Sequence, residues 1–283
     1  PSIPVLSEED ADIPQATRAG WQRWWLVDPL DGTKEFISGS EEFTVNIALI
    51  EQGRVVFGVV SMPTNGRCYF GGRGMGAWRA DAGEAAQLIQ VRNAPAQGER
   101  FTVVASRRHS SPEQEALLAG LGAAVGELEL ANIGSSLKFC LLAEGSADCY
   151  PRLAPTSQWD TAAAQGVVEG AGGEVIGLDG LPFRYPPRES LLNPHFLALP
   201  ANAAWRQAFL KLIFENPAQD DALLEGLYVY LEIASEARFL NSLKLERAGE
   251  WIGDNAPARL QIRLMEAARS SQHPAFASFR TGL

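Results

Sequence analysis

Residues 24–33 read WWLVDPLDGT. The apolar run Trp24 to Val27 suits a strand, and the Asp-Pro and Asp-Gly pairs that follow end it in a turn. A strand that ends this way aims the carboxylates of Asp28 and Asp31 into one crevice. Two such anions repel unless a proton or a cation lies between them, and oxygen ligands suit Mg²⁺ at roughly 2.0–2.1 Å. The same residues also make an ordinary polar turn, so the pair alone leaves both readings open.

More acids lie outward from this stretch. Glu8 and Glu9 close a short apolar run, Val5 and Leu6, and put a further carboxylate at the tip of a neighbouring strand. Asp160 follows Trp159 and precedes Ala162, Ala163 and Ala164, at the start of a predicted helix over Trp159 to Glu169. Acids at element ends from three separated stretches point to a multi-metal site.

The rest of the chain bounds this picture. Its 283 residues allow one large domain or two modest ones, and 46% apolar with 20% charged residues is ordinary globular usage. No apolar run reaches the roughly 18 residues of a membrane span. Cys68, Cys140 and Cys149 lack CxxC spacing and read as reduced thiols. A net charge of −10 argues against a nucleic-acid polymer as partner, though not against a small phosphate ester. Residues 201–283 carry nine basic and ten acidic groups, so the acidity lies in the first 200. Strands are predicted at Phe43 to Ile50, Val55 to Ser61, Phe101 to Ala105, Ala147 to Tyr150 and Glu174 to Gly177, with a hairpin at 51–54. Helices are predicted from Ser111 to about Gly120 and over Ser135 to Glu144. That alternation is a mixed α/β layered domain. After Pro200 the pattern turns helical, with Trp205, Phe209 and Leu212 on one face and Leu223, Leu227, Leu231 and Ala234 on another.

The motifs DPLDGT (28–33) and WDTAA (159–163), with SEE upstream (7–9), resemble the magnesium-dependent, lithium-sensitive phosphatase superfamily that includes inositol monophosphatase. DGTKEF (31–36), SRRH (106–109) and GSSLKFC (134–140) resemble its 3′(2′),5′-bisphosphate nucleotidase branch, the bacterial CysQ-like proteins; the resemblance covers about residues 3–212. It implies an αβαβα sandwich over 1–212, incomplete at its N-terminus, and an all-α extension over 213–283. It implies two or three Mg²⁺ ions, inhibited by lithium, on Glu8, Asp28, Asp31, Asp160 and the carbonyl of Leu30. Thr33 and Glu8 are then catalytic, and the substrate is taken by Leu30, Asp31, Gly32, Thr33, Ser106, His109, Gly134, Lys138 and Asp160. The implied reaction removes the 3′-phosphate of adenosine 3′,5′-bisphosphate in the service of sulfur assimilation, with an inositol or sugar monophosphatase and a non-catalytic nucleotide-binding remnant as alternatives. The implied location is cytoplasmic, with peripheral contact at the inner membrane face allowed.

Other signals are weaker. Gly71, Gly72, Gly74 and Gly76 miss both nucleotide-loop fingerprints and read as a glycine-rich hairpin. His109, His195 and His273 are too scattered for zinc hydrolysis, and no GxSxG is present. Trp21, Trp24 and Trp25 are expected to fill core. The chain starts at Pro1 already in strand-like sequence, where family members carry covering helices and an aspartate bonded to the threonine of DPLDGT. The expected consequences are weakened catalysis and a tail that lies over bared sheet, with Asp254 in a loop.

Overall fold

A computed structural model describes residues 2–95, 97–105, 112–215 and 258–270. Seven strands run in chain order through one sheet: β1 (Val5–Ser7), β2 (Arg23–Asp31), β3 (Thr44–Glu51), β4 (Arg54–Met62), β5 (Arg67–Gly72), β6 (Gly76–Ala80) and β7 (Gln87–Ile89). β1 is parallel to β2, and every later neighbour is antiparallel. The predicted hairpin at 51–54 joins β3 to β4 with Gln52 at φ 56° and Gly53 at φ 71°, the positive pair that matches the twist of two-residue hairpins. The glycine-rich stretch is the β5–β6 hairpin, as expected.

Side chains alternate across a sheet, so each cross-strand row belongs to one face. Leu6, Leu26, Ala48, Gly58, Gly71, Ala77 and Ile89 form one row. Its small centre lets helix α5 (Gln158–Gly170) rest directly on the strands. A Cβ on Gly58 would lie 1.9 Å from the carbonyl oxygen of Ala163, and one on Gly166 would lie 2.8 Å from the amide nitrogen of Gly58. Helix α4 (Leu137–Ala143) lies beside α5 in the same core.

A second β layer covers the other side of these helices. It contains the antiparallel sheet β10 (Tyr150–Arg152), β12 (Phe196–Pro200) and β11 (Gly173–Gly177), with the parallel pair β8 (Phe101–Ala105) and β9 (Leu128–Asn132). Alternation along β12 divides the interior: Phe196 and Ala198 join the core around α4 and α5, while Leu197 and Leu199 join a second core. Leu117 and Leu121 of α3 (Pro112–Val125), Phe209, Leu210 and Ile213 of α6 (Arg206–Glu215), and Leu260 and Leu264 of α7 (Ala258–Ser270) complete that second core. Short helices α1 (Gln15–Arg18) and α2 (Thr33–Ile37) flank β2. The described layers are therefore β, α, β and α.

Several expectations shift. Helix α3 runs on to Val125 because Leu121 is fully buried. α4 starts at Leu137 because Ser135 holds φ at 46°, outside helical geometry. β10 begins only at Tyr150. Trp24 is core and Trp21 packs on it, but Trp25 alternates to the opposite face of the sheet. α6 passes through position 212, and Ile213 is buried with Phe209. The described part of the tail, α7, enters the second core rather than the seven-stranded sheet. Leu223, Leu227, Leu231, Ala234 and Asp254 lie outside the described residues. All three cysteines are free thiols.

Candidate active site

β2 carries its two acids through a register shift: Asp28 pairs with Asn46 of β3 and Asp31 with Thr44. Asp28 Oδ1 accepts the backbone amide of Leu30 at 2.9 Å, which ties the turn to its own first acid. Gly32 then takes φ 92°, a conformation costly for other residues, and a Cβ there would press on the Glu42 carbonyl at 3.2 Å and the Ser135 Cβ at 3.3 Å. Thr33 opens α2 and donates its hydroxyl to the Leu30 carbonyl at 3.4 Å.

β1 delivers Glu8 beside this turn, since the Glu8 amide bonds the Val27 carbonyl at 3.1 Å, one residue before Asp28. α5 delivers Asp160 at its third helical position, where Oδ2 accepts the backbone amide of Ser157 at 2.8 Å in a capping box. The small residues that seat α5 on the sheet thus also decide where Asp160 stands. Ser136, at the N-cap of α4, links the two stretches: its Oγ lies 2.6 Å from Asp31 Oδ2 and 2.7 Å from the Asp160 carbonyl oxygen.

The acids press on one another. Burial, then the charges of Asp31, Glu8 and Asp160, push Asp28 up to about 8, against the pull of the Leu30 amide. Burial, then Asp31 and Glu8, push Asp160 up to about 7, while the Ser157 amide and Arg152 act in the opposite direction. Among the described residues no salt bridge is made to Asp28, Asp31 or Asp160. Among the same residues no three carboxylates, imidazoles or thiolates stand at ligating distance from a common point. The donor set nonetheless suits a hard cation: it is all oxygen, and each aspartate uses one named oxygen within the protein. Asn46 Oδ1 is a buried acceptor without a donor among the described residues, a group that a hydrated ion would satisfy.

Glu8, Asp28, Leu30, Asp31, Gly32, Thr33 and Asp160 therefore fall in one neighbourhood. Gly134 is near it, but its amide already donates to Glu42 Oε2 at 2.7 Å. Lys138 is only 8% exposed and its Nζ donates to the Ser135 carbonyl at 3.0 Å. Burial lowers the Lys138 pKa, and Asp31 acts in the opposite direction. Ser106 and His109 lie outside the described residues. Asn46, Ser136 and Arg152 escape sequence reasoning; the GSS of GSSLKFC, two small hydroxyls before an apolar helix, is the one local signal for Ser136.

This layered α/β fold with a carboxylate-lined crevice has the build of a metal-assisted phosphoester hydrolase. The chain belongs to the inositol monophosphatase family, whose model matches residues 1–209. The 3′(2′),5′-bisphosphate nucleotidase CysQ of Salmonella typhimurium is 52% identical over 196 residues, covering 69% of this chain and 75% of the relative. The CysQ of Escherichia coli K12 is 50% identical over the same shares. Among solved structures, CysQ from Bacteroides thetaiotaomicron, described as a bacterial member of the inositol monophosphatase family, superposes with a TM-score of 0.63 at 42% identity, covering 71% of this chain and 78% of that one. A staphylococcal IMPase-II, 20% identical with a TM-score of 0.61, shares the fold.

Proposed function

We propose that the protein is a Mg²⁺-dependent 3′(2′),5′-bisphosphate nucleotidase that converts adenosine 3′,5′-bisphosphate to AMP and phosphate. The observation that carries this reading is the convergence of acids from β1, β2 and α5: burial and neighbouring charge raise the proton affinity of Asp28 and Asp160, and among the described residues no cationic side chain is bonded to Asp28, Asp31 or Asp160. Roughly half-identity to curated bisphosphate nucleotidases supports the choice of nucleotide over inositol monophosphate.

Asp28, Asp31, Asp160, Glu8 and the Leu30 carbonyl would hold two or three Mg²⁺ ions, with lithium as inhibitor. Bound magnesium supplies Lewis acidity and neutralises charge at the phosphoryl group. The chain's own residues position the reactants. The Thr33 hydroxyl, placed against the Leu30 carbonyl, orients the attacking water, and Glu8, exposed at the tip of β1, takes its proton. A cytoplasmic location goes with this substrate; among the described residues no helix is long and apolar enough to cross a membrane.

The test is phosphate release with Mg²⁺ from adenosine 3′,5′-bisphosphate and, separately, from inositol monophosphate. The expected result is higher kcat/KM for the nucleotide, with loss of turnover in chelator. Preference for inositol monophosphate would defeat the substrate assignment, and binding of the nucleotide without product would defeat the hydrolase.

A further inference from the structure

Ser136 stands where the acid-bearing turn of β2 meets the first turn of α5. Its Oγ has one proton and two acceptors in reach, Asp31 Oδ2 at 2.6 Å and the Asp160 carbonyl oxygen at 2.7 Å. The same oxygen accepts the Asn46 side-chain amide at 2.9 Å. Asn46 Nδ2 also reaches Asp31 Oδ2 at 3.1 Å, and the Thr44 hydroxyl reaches it at 3.4 Å. Three side chains from β3 and α4 thus converge on one oxygen of Asp31. Ser136 is 2% exposed, so water does not readily replace its hydroxyl. The second oxygen of Asp31 accepts no hydrogen bond among the described residues.

We propose that Ser136 is a positioning residue. Its hydroxyl fixes the Asp31 carboxylate relative to Asp160, and so sets the affinity of the acid crevice for a divalent cation. This rests on the reading of these acids as metal ligands. The physical basis is general: groups that hydrogen-bond a metal's ligands fix ligand orientation, and their loss weakens metal binding about 10–100-fold. A serine that merely filled space would affect folding and leave cation affinity alone.

Calorimetric titration of Mg²⁺ into the metal-free protein, without substrate, distinguishes the two. Ser136→Ala is expected to weaken binding about tenfold or more, while Ser136→Thr, which keeps the hydroxyl, recovers most of the affinity. In turnover, the Mg²⁺ needed for half-maximal rate rises by the same factor, and KM for the nucleotide at saturating Mg²⁺ stays unchanged. Equal Mg²⁺ affinity of Ser136→Ala and the parent chain overturns the proposal. Should Ser136→Ala fail to fold, Asn46→Ala removes the donor shared by Ser136 and Asp31; a similar loss supports the proposal and an unchanged affinity defeats it. A parent chain that binds Mg²⁺ but releases no phosphate defeats the proposed function alone and leaves the affinity comparison intact.

Discussion

The seven-stranded sheet has two unlike faces. Under α5 the cross-strand row narrows to Ala48, Gly58, Gly71 and Ala77, so helix backbone meets strand backbone. On the opposite face the adjacent row is Val27, Ile47, Val59, Phe70, Trp78 and Leu88, one large apolar residue on each of six strands. Ile47 and Leu88 there are 37% and 61% exposed. Close approach fixes the position of α5 and therefore of Asp160. Bulk on the other face fixes nothing among the described residues. The acids that matter stand at the rim of the tightly fitted side.

The largest effect is expected at that rim. Lewis-acid stabilisation is worth several kcal/mol and each 1.4 kcal/mol is about tenfold, so Asp31→Asn should lower phosphate release by about 10³-fold. Its melting temperature in chelator should not fall, because a repelling charge has been removed; a large fall would mean that Asp31 is chiefly structural. Next comes the fit of helix to sheet. Gly58→Val forces side-chain atoms into the Ala163 carbonyl and should cost about 3 kcal/mol in urea unfolding, whereas a cost near zero would show that α5 does not rest on β4 as described.

A smaller effect concerns the metal-free crevice. Asp28 is raised from 3.8 to about 8 in the folded chain by burial and its acidic neighbours. The folded state then binds more protons than the unfolded one between those values. The stability that Asp28 contributes in chelator is accordingly full below pH 3.8 and is lost as pH rises through about 8. Asp28→Asn flattens that decline, and denaturant midpoints at pH 5 and pH 8.5 measure it. Smallest is the open face: Ile47→Ser should cost about 1 kcal/mol, the value of a side chain already partly in water. A loss of 2 kcal/mol or more would show that something covers this row and would erase the contrast between the faces.

How much of this was legible beforehand depends on whether the signal is local. DPLDGT marks an irregularity because aspartate, proline and glycine act on the backbone within a few residues, but the strand does not end at Val27. β2 bulges between Asp28 and Asp31 and stops only before Gly32. WDTAA announces a helix start in the same local way. The structure brings both to one crevice. The β5–β6 hairpin is legible from its glycines, whereas β7, three residues from Gln87 to Ile89 with two of them exposed, shows no apolar run to mark it. Ser136 and Asn46 were invisible for a related reason. Their partner, Asp31, lies 105 and 15 residues away, and nothing near either residue records that bond. Lys138 shows the same limit for burial: nothing near it in the sequence records that the fold encloses it beside Asp31, Glu35 and Glu42.

The cap that opens α5 joins two jobs in one carboxylate. Asp160 secures the first turn of the helix through the Ser157 amide, and it is also the acid the crevice borrows from the far end of the chain. On the proposed function, a molecule whose α5 has frayed at its start is disarmed, and a molecule that has wound this helix has already presented its acid. Exchange protection at the first amides of α5 should consequently report the competent fraction of a preparation, without any substrate being added.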